Sequence, residues 1–178
     1  MKILVSAASR HGSTAEIAAA IARTLLAKGL LADVVAPEQV RSLEGYDAVV
    51  LGSAVYMGRW LESARRVATE RQANLRSLPV WLFSSGPIGD PPMPTEDPVD
   101  AAQVAALTGA REHRLFGGVV DRRRLALTEK AIVTMLRAPD GDFRQWNEID
   151  EWAARIASAL EAQPVVRQQP VQMRPTSR

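Results

Sequence analysis

The stretch KILVSAASRHGSTAEIAAAIARTLLAKG, residues 2–29, decides how this chain folds. Its first residues, 2–6, are a short aliphatic run suited to a buried strand. Ser9, Gly12, Ser13 and Thr14 follow at once as a polar loop. Ile17, Ile21 and Leu25, with Ala18 and Ala22, then recur at three- and four-residue spacing, and Gly29 stands where a helix C-terminal cap belongs. The pattern predicts strand, loop and helix, with Ser13 or Thr14 as the N-cap. A helix start leaves its first backbone N–H groups unpaired and carries the positive end of the helix dipole, so an anion placed there is stabilised. The hydroxyls of Ser9, Ser13 and Thr14 add donors. The same residues would also serve as a plain helix cap, and only the rest of the chain separates the two readings.

With 178 residues, 47% of them apolar, the chain can bury one good core, so one domain is expected. The absence of cysteine excludes disulfides, zinc–thiolate sites, iron–sulfur clusters and cysteine nucleophiles. Two histidines, His11 and His113, leave little for metal chemistry, and no metal site is expected. The formal net charge is only +2, yet Arg122, Arg123 and Arg124 are consecutive, and Arg167, Arg174 and Arg178 lie near the end. Such arginines suit a solvated basic face, an anionic lipid surface or an acidic substrate. No nucleic-acid motif accompanies them, so nucleic acid is not an expected partner. No cationic apolar leader opens the sequence and no apolar run approaches a membrane span. A cytoplasmic location is expected.

Further along, ADVVAP at 32–37, AVVLGS at 48–53 and VWLFSS at 80–85 read as buried parallel strands. HRLFGGVV at 113–120 is a fifth strand, its two glycines marking a bulge or a close backbone approach. Helical periodicity returns at 60–71, 97–111, 128–137 and 143–162. The connection GPIGDPPMP, 86–94, holds too much Gly and Pro for helix or ladder and must be a surface turn. From 163 to 178 no period survives, and a disordered tail is expected. Alternating strand and helix predict a doubly wound α/β domain over residues 1–162, with helices on both faces and ligands beyond the carboxyl ends of the strands. Three of those ends are Ser6, Ser53 and Ser85.

Ser9-Arg10-His11-Gly12-Ser13-Thr14 resembles the phosphate loop of the flavodoxin-like family, roughly S/T-x-T-G-x-T, with His11 in place of a threonine. Arg10 makes the loop more similar to the menaquinone-dependent protoporphyrinogen oxidase branch. GSAVYMGRW at 52–60, an Arg-rich insertion at about 118–139 and the tryptophan-bearing final helix after DFRQW at 142–146 resemble the same branch. The resemblance implies a five-stranded parallel sheet of order 2-1-3-4-5 and FMN as cofactor. It places Ser9, Arg10, His11, Gly12, Ser13 and Thr14 at the phosphate. It places Ser53, Ala54, Val55, Tyr56, Met57 and Gly58, with Ser84, Ser85 and Gly86, along the flavin ring. Arg10 has solvent as its alternative, Tyr56 a plain surface position, and His11 a loop position without acid–base work. Trp60, Trp81, Trp146 and Trp152 read as packing.

No side chain stands out as a base or nucleophile, so the flavin would carry the chemistry. The resemblance implies an FMN-dependent oxidoreductase, protoporphyrinogen oxidase-like, with a quinone or other redox partner as acceptor. The basic insertion adds an expectation of peripheral contact with the inner face of a membrane. The alternatives are a flavodoxin-type electron carrier, which is usually acidic, and a non-flavin binding or regulatory module, for which His11 is the only support. Oligomeric state is not legible.

Overall fold

The computed structural model describes residues 1–88, 95–123, 125, 127, 130, 134 and 139–162. Strand β1 (Lys2–Ala8) and helix α1 (Ser13–Ala27) stand where the opening stretch predicts them. They are followed by β2 (Leu31–Val34), β3 (Ala48–Tyr56), β4 (Arg59–Trp60), α2 (Glu62–Glu70), α3 (Gln72–Arg76) and β5 (Val80–Ser85). The chain continues with α4 (Ala101–Thr108), β6 (Glu112–Phe116), β7 (Val119–Val120), β8 (Gly141–Asp142) and α5 (Trp146–Glu161). Among the described residues five strands pair in the order β2-β1-β3-β5-β6, all parallel. Counting only these, the order is the expected 2-1-3-4-5. Two-residue β4 folds back antiparallel on β3, and β7 pairs with β8 as a separate ribbon.

Side-chain alternation along the strands assigns the two faces. Ile3, Val5, Ala7, Val50, Trp81 and Phe83 point to one side, where Ile17, Ile21 and Leu25 of α1 meet Ile149, Trp152 and Ile156 of α5. Leu4, Ala8, Val49, Leu51, Val80 and Leu82 point to the other, beneath Ala64, Val67, Leu75 and Val104 of α2, α3 and α4. Phe83, Phe116 and Trp152 form an edge-on aromatic cluster at the first interface, with centroids 5.5 to 6.2 Å apart. Gly52 makes that cluster fit, since a Cβ there would lie 2.2 Å from the Phe83 ring. Trp81 and Trp152 are buried as read from the sequence, whereas Trp146 is half-buried beneath Arg144.

Several boundaries move, each for a local reason. The residue before α1 is Gly12, at φ 95° and without a side-chain cap, so neither Ser13 nor Thr14 is the N-cap. The segment read as helix from 60 begins only at Glu62, because Trp60 is spent in β4. The fifth strand ends at Phe116: Gly117 passes so close to the Phe143 carbonyl that its chain turns away, and Val119 and Val120 join the ribbon instead. The final helix starts at Trp146, three residues late, since Phe143 N donates to Gly118 O and holds the entry extended. The helix expected at 128–137 and the tail at 163–178 lie largely or wholly outside the described residues. So do 89–94 of the Gly/Pro-rich turn and part of the 118–139 insertion.

Candidate functional site

The carboxyl ends of β1, β3 and β5 lie side by side, in register Ala8↔Ser53 and Ala54↔Ser85. The loop after β1 is shaped by its own polar atoms. Gly12 N donates to Ser9 Oγ at 3.0 Å, and Gly12 O accepts the Glu16 N–H at 3.0 Å as the first helical bond. The hydroxyl of Ser9 therefore closes the loop while its own proton stays available. Gly12 at φ 95° takes a conformation that L residues rarely adopt. Thr14 is fully buried and its Oγ1 has no hydrogen-bond partner; Ser6 Oγ is also buried and unpartnered, but β1 runs on to Ala8, so Ser6 lies inside the strand rather than at its expected end. Buried hydroxyls are normally paired, so the Thr14 orphan at an unpaired helix N-terminus marks a place built for an acceptor that comes from outside.

The loop after β3 is a two-residue hairpin. Tyr56 pairs with Arg59, and the turn residues Met57 and Gly58 have φ 50° and 72°, the left-handed pair that a tight hairpin requires. Met57 is 92% exposed. Loops one and two meet at Tyr56. The Arg10 guanidinium carbon lies 5.1 Å from the Tyr56 ring centroid, and the His11 ring lies 6.3 Å away at a tilt of 56°. Arg10 is exposed and His11 half-buried. Gly58 O accepts the Val99 N–H at 2.8 Å, tying the hairpin to the segment before α4.

The serines at the strand ends have other duties. Ser53 Oγ donates to Ala54 O at 2.8 Å and accepts from Leu61 N at 2.9 Å, which fixes the step from β4 into α2. Ser84 Oγ accepts from Trp60 Nε1 at 2.7 Å and lies 2.8 Å from His113 Nε2. His113 Nδ1 is 3.2 Å from Asp97 Oδ1. Burial holds the His113 imidazole below its ordinary pKa, and Asp97 offsets this only in part. Ser85 is buried beside Gly117, and Gly86 packs beneath Val55, where a Cβ would lie 3.0 Å from the valine Cβ. Ala54 is buried and Val55 half-buried at the same junction. The buried Asp100 accepts the Trp60 N–H with both oxygens at 3.1 Å.

On the outer side of α1 a cavity of about 190 Å³ is lined by His11, Ser13, Glu16, Val119, Asp121, Leu125 and Arg144. Arg144 organises it. Its side chain is 8% exposed, forks onto Asp142 at 2.8 and 2.6 Å, donates to Glu16 Oε2 at 2.6 Å and to Ser13 O at 3.2 Å, and covers Trp146. The guanidinium holds the Asp142 carboxyl below the usual carboxylate range.

The structure thus brings Ser9 to Thr14 together with Tyr56 to Gly58 and sets Gly86 under them. It withdraws Ser53 and Ser84 into the scaffold. Trp60, Asp97, Asp100, His113 and Arg144, which hold these loops, are not singled out by the sequence as site residues. Only the Asp142–Arg144 spacing, two apart on an extended segment, is a local signal; the partners of Trp60, Asp97, Asp100 and His113 lie 16 to 40 positions away, and Glu16 lies 128 from Arg144. Among the described residues no helix is long and apolar enough to cross a membrane.

Comparison with known proteins agrees with this architecture. The model of the flavodoxin domain family matches residues 4–146. The chain is 30% identical over 86 residues to a protein of Escherichia coli K12 named protoporphyrinogen IX dehydrogenase [quinone], covering 47% of this chain and 48% of the relative. It therefore spans about half the length of the curated relatives it matches. A flavodoxin from Archaea superposes with a TM-score of 0.63 at 18% identity, over 90% of this chain and 99% of the other. Oxidised flavodoxin 1 of Bacillus cereus gives 0.59 at 15% identity, over 89% and 98%.

Proposed function

The chain belongs to the flavodoxin domain family, and on that premise we propose that it is an FMN-dependent oxidoreductase passing electrons from a reduced substrate to a quinone or another acceptor. The observation that carries the proposal is the unpartnered, fully buried Thr14 Oγ1 at the first turn of α1. A hydroxyl buried without a partner costs about 1–3 kcal/mol, a cost removed when an acceptor arrives. A phosphate monoester is such an acceptor, and the N-terminal N–H groups of α1 suit its charge. The residues present therefore fit FMN. Ser9, Gly12, Ser13 and Thr14 would hold the phosphate, and Tyr56 with Gly58 and Gly86 would border the ring. Bound there, FMN supplies the redox chemistry.

The chain's own part is positioning. Arg10 and His11 against the Tyr56 ring keep the first two loops together. Arg144 fixes the first turn of α1 through Glu16 and Ser13 O. No exposed base or nucleophile is needed on this reading. The enzyme rather than the carrier is supported by the name of the E. coli relative. Protoporphyrinogen as substrate, menaquinone as acceptor and contact with an anionic membrane through the basic insertion belong to the proposal at its finest grain. Arg122 and Arg123 are paired with Asp140 and Asp121, so such contact would exchange these carboxylates for lipid phosphates and weaken with salt.

The test begins with the absorbance of purified protein and an FMN titration. Near-equal flavin stoichiometry supports the reading, and failure to take up FMN overturns it. Turnover of protoporphyrinogen with a menaquinone analogue by FMN-loaded protein then decides the substrate, and its absence removes that assignment while leaving the cofactor.

A further inference from the structure

We propose that His113 is a positioning residue whose neutral imidazole completes a one-way hydrogen-bond chain, Trp60 to Ser84 to His113 to Asp97, that locks the second and third loops together and makes flavin loading depend on pH. The proposal rests on the FMN reading for its loading step, not for the chain of bonds.

The direction of the chain follows from the chemistry of its ends. An indole N–H can only donate, so Trp60 Nε1 donates to Ser84 Oγ at 2.7 Å. A carboxylate can only accept, so the proton between His113 and Asp97, 3.2 Å apart, sits on Nδ1. A neutral His113 then has a bare Nε2, which accepts the Ser84 hydroxyl proton at 2.8 Å. Every donor and acceptor is used once. The bonded order Ser, His, Asp is that of an acyl-transfer triad, but Ser84 is fully buried and already receives the indole proton, so it is not a nucleophile.

Position gives the chain its consequence. Trp60 ends the hairpin that presents Tyr56, Met57 and Gly58. Ser84 lies two residues before Gly86, which packs under Val55 of the same hairpin. Asp97 belongs to the connection between β5 and α4. Protonating His113 places a second proton between Nε2 and Ser84 Oγ. Ser84 Oγ must then accept from both Trp60 Nε1 and His113 Nε2 while its own proton turns away into a buried space without an acceptor, which weakens the chain at its middle.

The groups around the imidazole do not mask this titration. Asp97 is the charged group whose field reaches it. Trp60 of β4 and Ser84 of β5 bring no charge, and α4, which packs on β6, carries no charged side chain over Ala101–Thr108. Glu112 and Arg114, the neighbours on β6, alternate to the opposite face. On the Trp60 side Asp100 is held by Trp60 N and lies 3.8 Å from Arg65 Nε.

The experiment reads the Trp60 indole proton by NMR in the full-length protein without FMN, assigned with Trp60→Phe, and measures its exchange protection against pH. Protection should fall about tenfold as His113 titrates. In His113→Gln, which keeps an acceptor for Ser84 and does not titrate, it should stay high at every pH; in His113→Leu and in Ser84→Ala it should be low at every pH. Circular dichroism identifies a variant that has not folded, and Ser84→Ala serves if His113→Leu is lost. The FMN dissociation constant of the wild type should rise about fivefold over the same interval and stay flat in His113→Gln. Unchanged indole protection in the folded Leu or Ala variant, or a pH step that survives in His113→Gln, overturns the proposal. Protein that takes up no FMN at any pH overturns the functional reading and the loading step, while the indole exchange still decides the hydrogen-bond chain.

Discussion

Arg144 donates to Glu16 across 128 positions of sequence, Nη1 to Oε2 at 2.6 Å, and so fastens the entry of α5 to the first turn of α1. The guanidinium is 8% exposed, whereas Glu16 and Asp142 are 57% and 44% exposed. Water can therefore rescue both carboxylates if the arginine is removed, which limits the loss to about 1–2 kcal/mol rather than the cost of a stranded buried charge. Arg144→Ala should lower the urea midpoint accordingly. Arg144→Lys keeps the charge but not the fork and should recover less than half of the difference. An Ala variant with the wild-type midpoint would remove the clamp as a source of stability.

Thr14→Val separates folding from binding. The valine is close in shape and deletes the hydroxyl that has no partner, so the protein without FMN should gain roughly 0.5–1 kcal/mol. The same change removes a donor from the phosphate, and FMN affinity should fall about tenfold, equivalent to ~1.4 kcal/mol. Thermal melts with and without FMN show both signs at once; a variant that binds FMN like the wild type would exclude Thr14 from the cradle.

Met57 holds φ 50° at the hairpin tip while 92% exposed. An L residue pays for that conformation, and asparagine pays least among those with a side chain. Met57→Asn should raise stability by about 0.5–1 kcal/mol. A melting temperature that falls instead would show that the methionine side chain has a packing role at the tip.

Gly117→Ala should be among the most damaging small changes. Its Cβ would sit 1.9 Å from the Phe143 carbonyl oxygen, a backbone atom that cannot rotate aside. A cost of about 2–3 kcal/mol is expected, with loss of the β7–β8 ribbon. Amide exchange at Val119 and Val120 checks the second part: retained protection there would mean that the backbone relaxes at little cost.

The pH dependence of stability has two acid limbs. His113 binds protons less readily folded than unfolded, so the unfolded chain carries more protons just below the ordinary histidine pKa of about 6.5. Stability is then full above that value and declines as pH falls below it. Asp142 is also held low, by Arg144; its contribution is present above the ordinary value of about 4 and is lost as pH falls through the folded pKa. Urea midpoints from pH 8 to pH 3 should show the first decline vanish in His113→Gln and the second shrink in Asp142→Asn, the remainder belonging to Asp33 and Glu38, which are also held low. A first decline unchanged in His113→Gln would assign it to another group.

The elements read from periodicity stand because each is a short-range pattern that packing preserves. The aliphatic run of β1 is buried on both faces by helices, and the spacing of Ile17, Ile21 and Leu25 marks the side of α1 that meets the sheet. The loop between them was legible for the same reason: Gly12 and the hydroxyl residues lie within a few positions of one another. Boundaries failed where a distant group intervened, a backbone carbonyl in one case and a side-chain carboxylate in the other. Phe143 O forces Gly117 to end β6, and Asp100 holds Trp60 out of α2.

Sequence by itself determined the alternating α/β elements and the anion-ready start of α1, since hydrophobic period, loop chemistry and helix polarity are written in neighbouring residues, while the strand order came only with the family resemblance. Tertiary structure decided what each polar group does there. Whether a serine hydroxyl faces a ligand or a tryptophan depends on which strand ends are adjacent: Ser84 of β5 meets Trp60 of β4 and His113 of β6, while Thr14 Oγ1 has no hydrogen-bond partner. That allocation is set by packing between segments far apart in the chain, where burial makes each unmatched donor costly and each matched one specific.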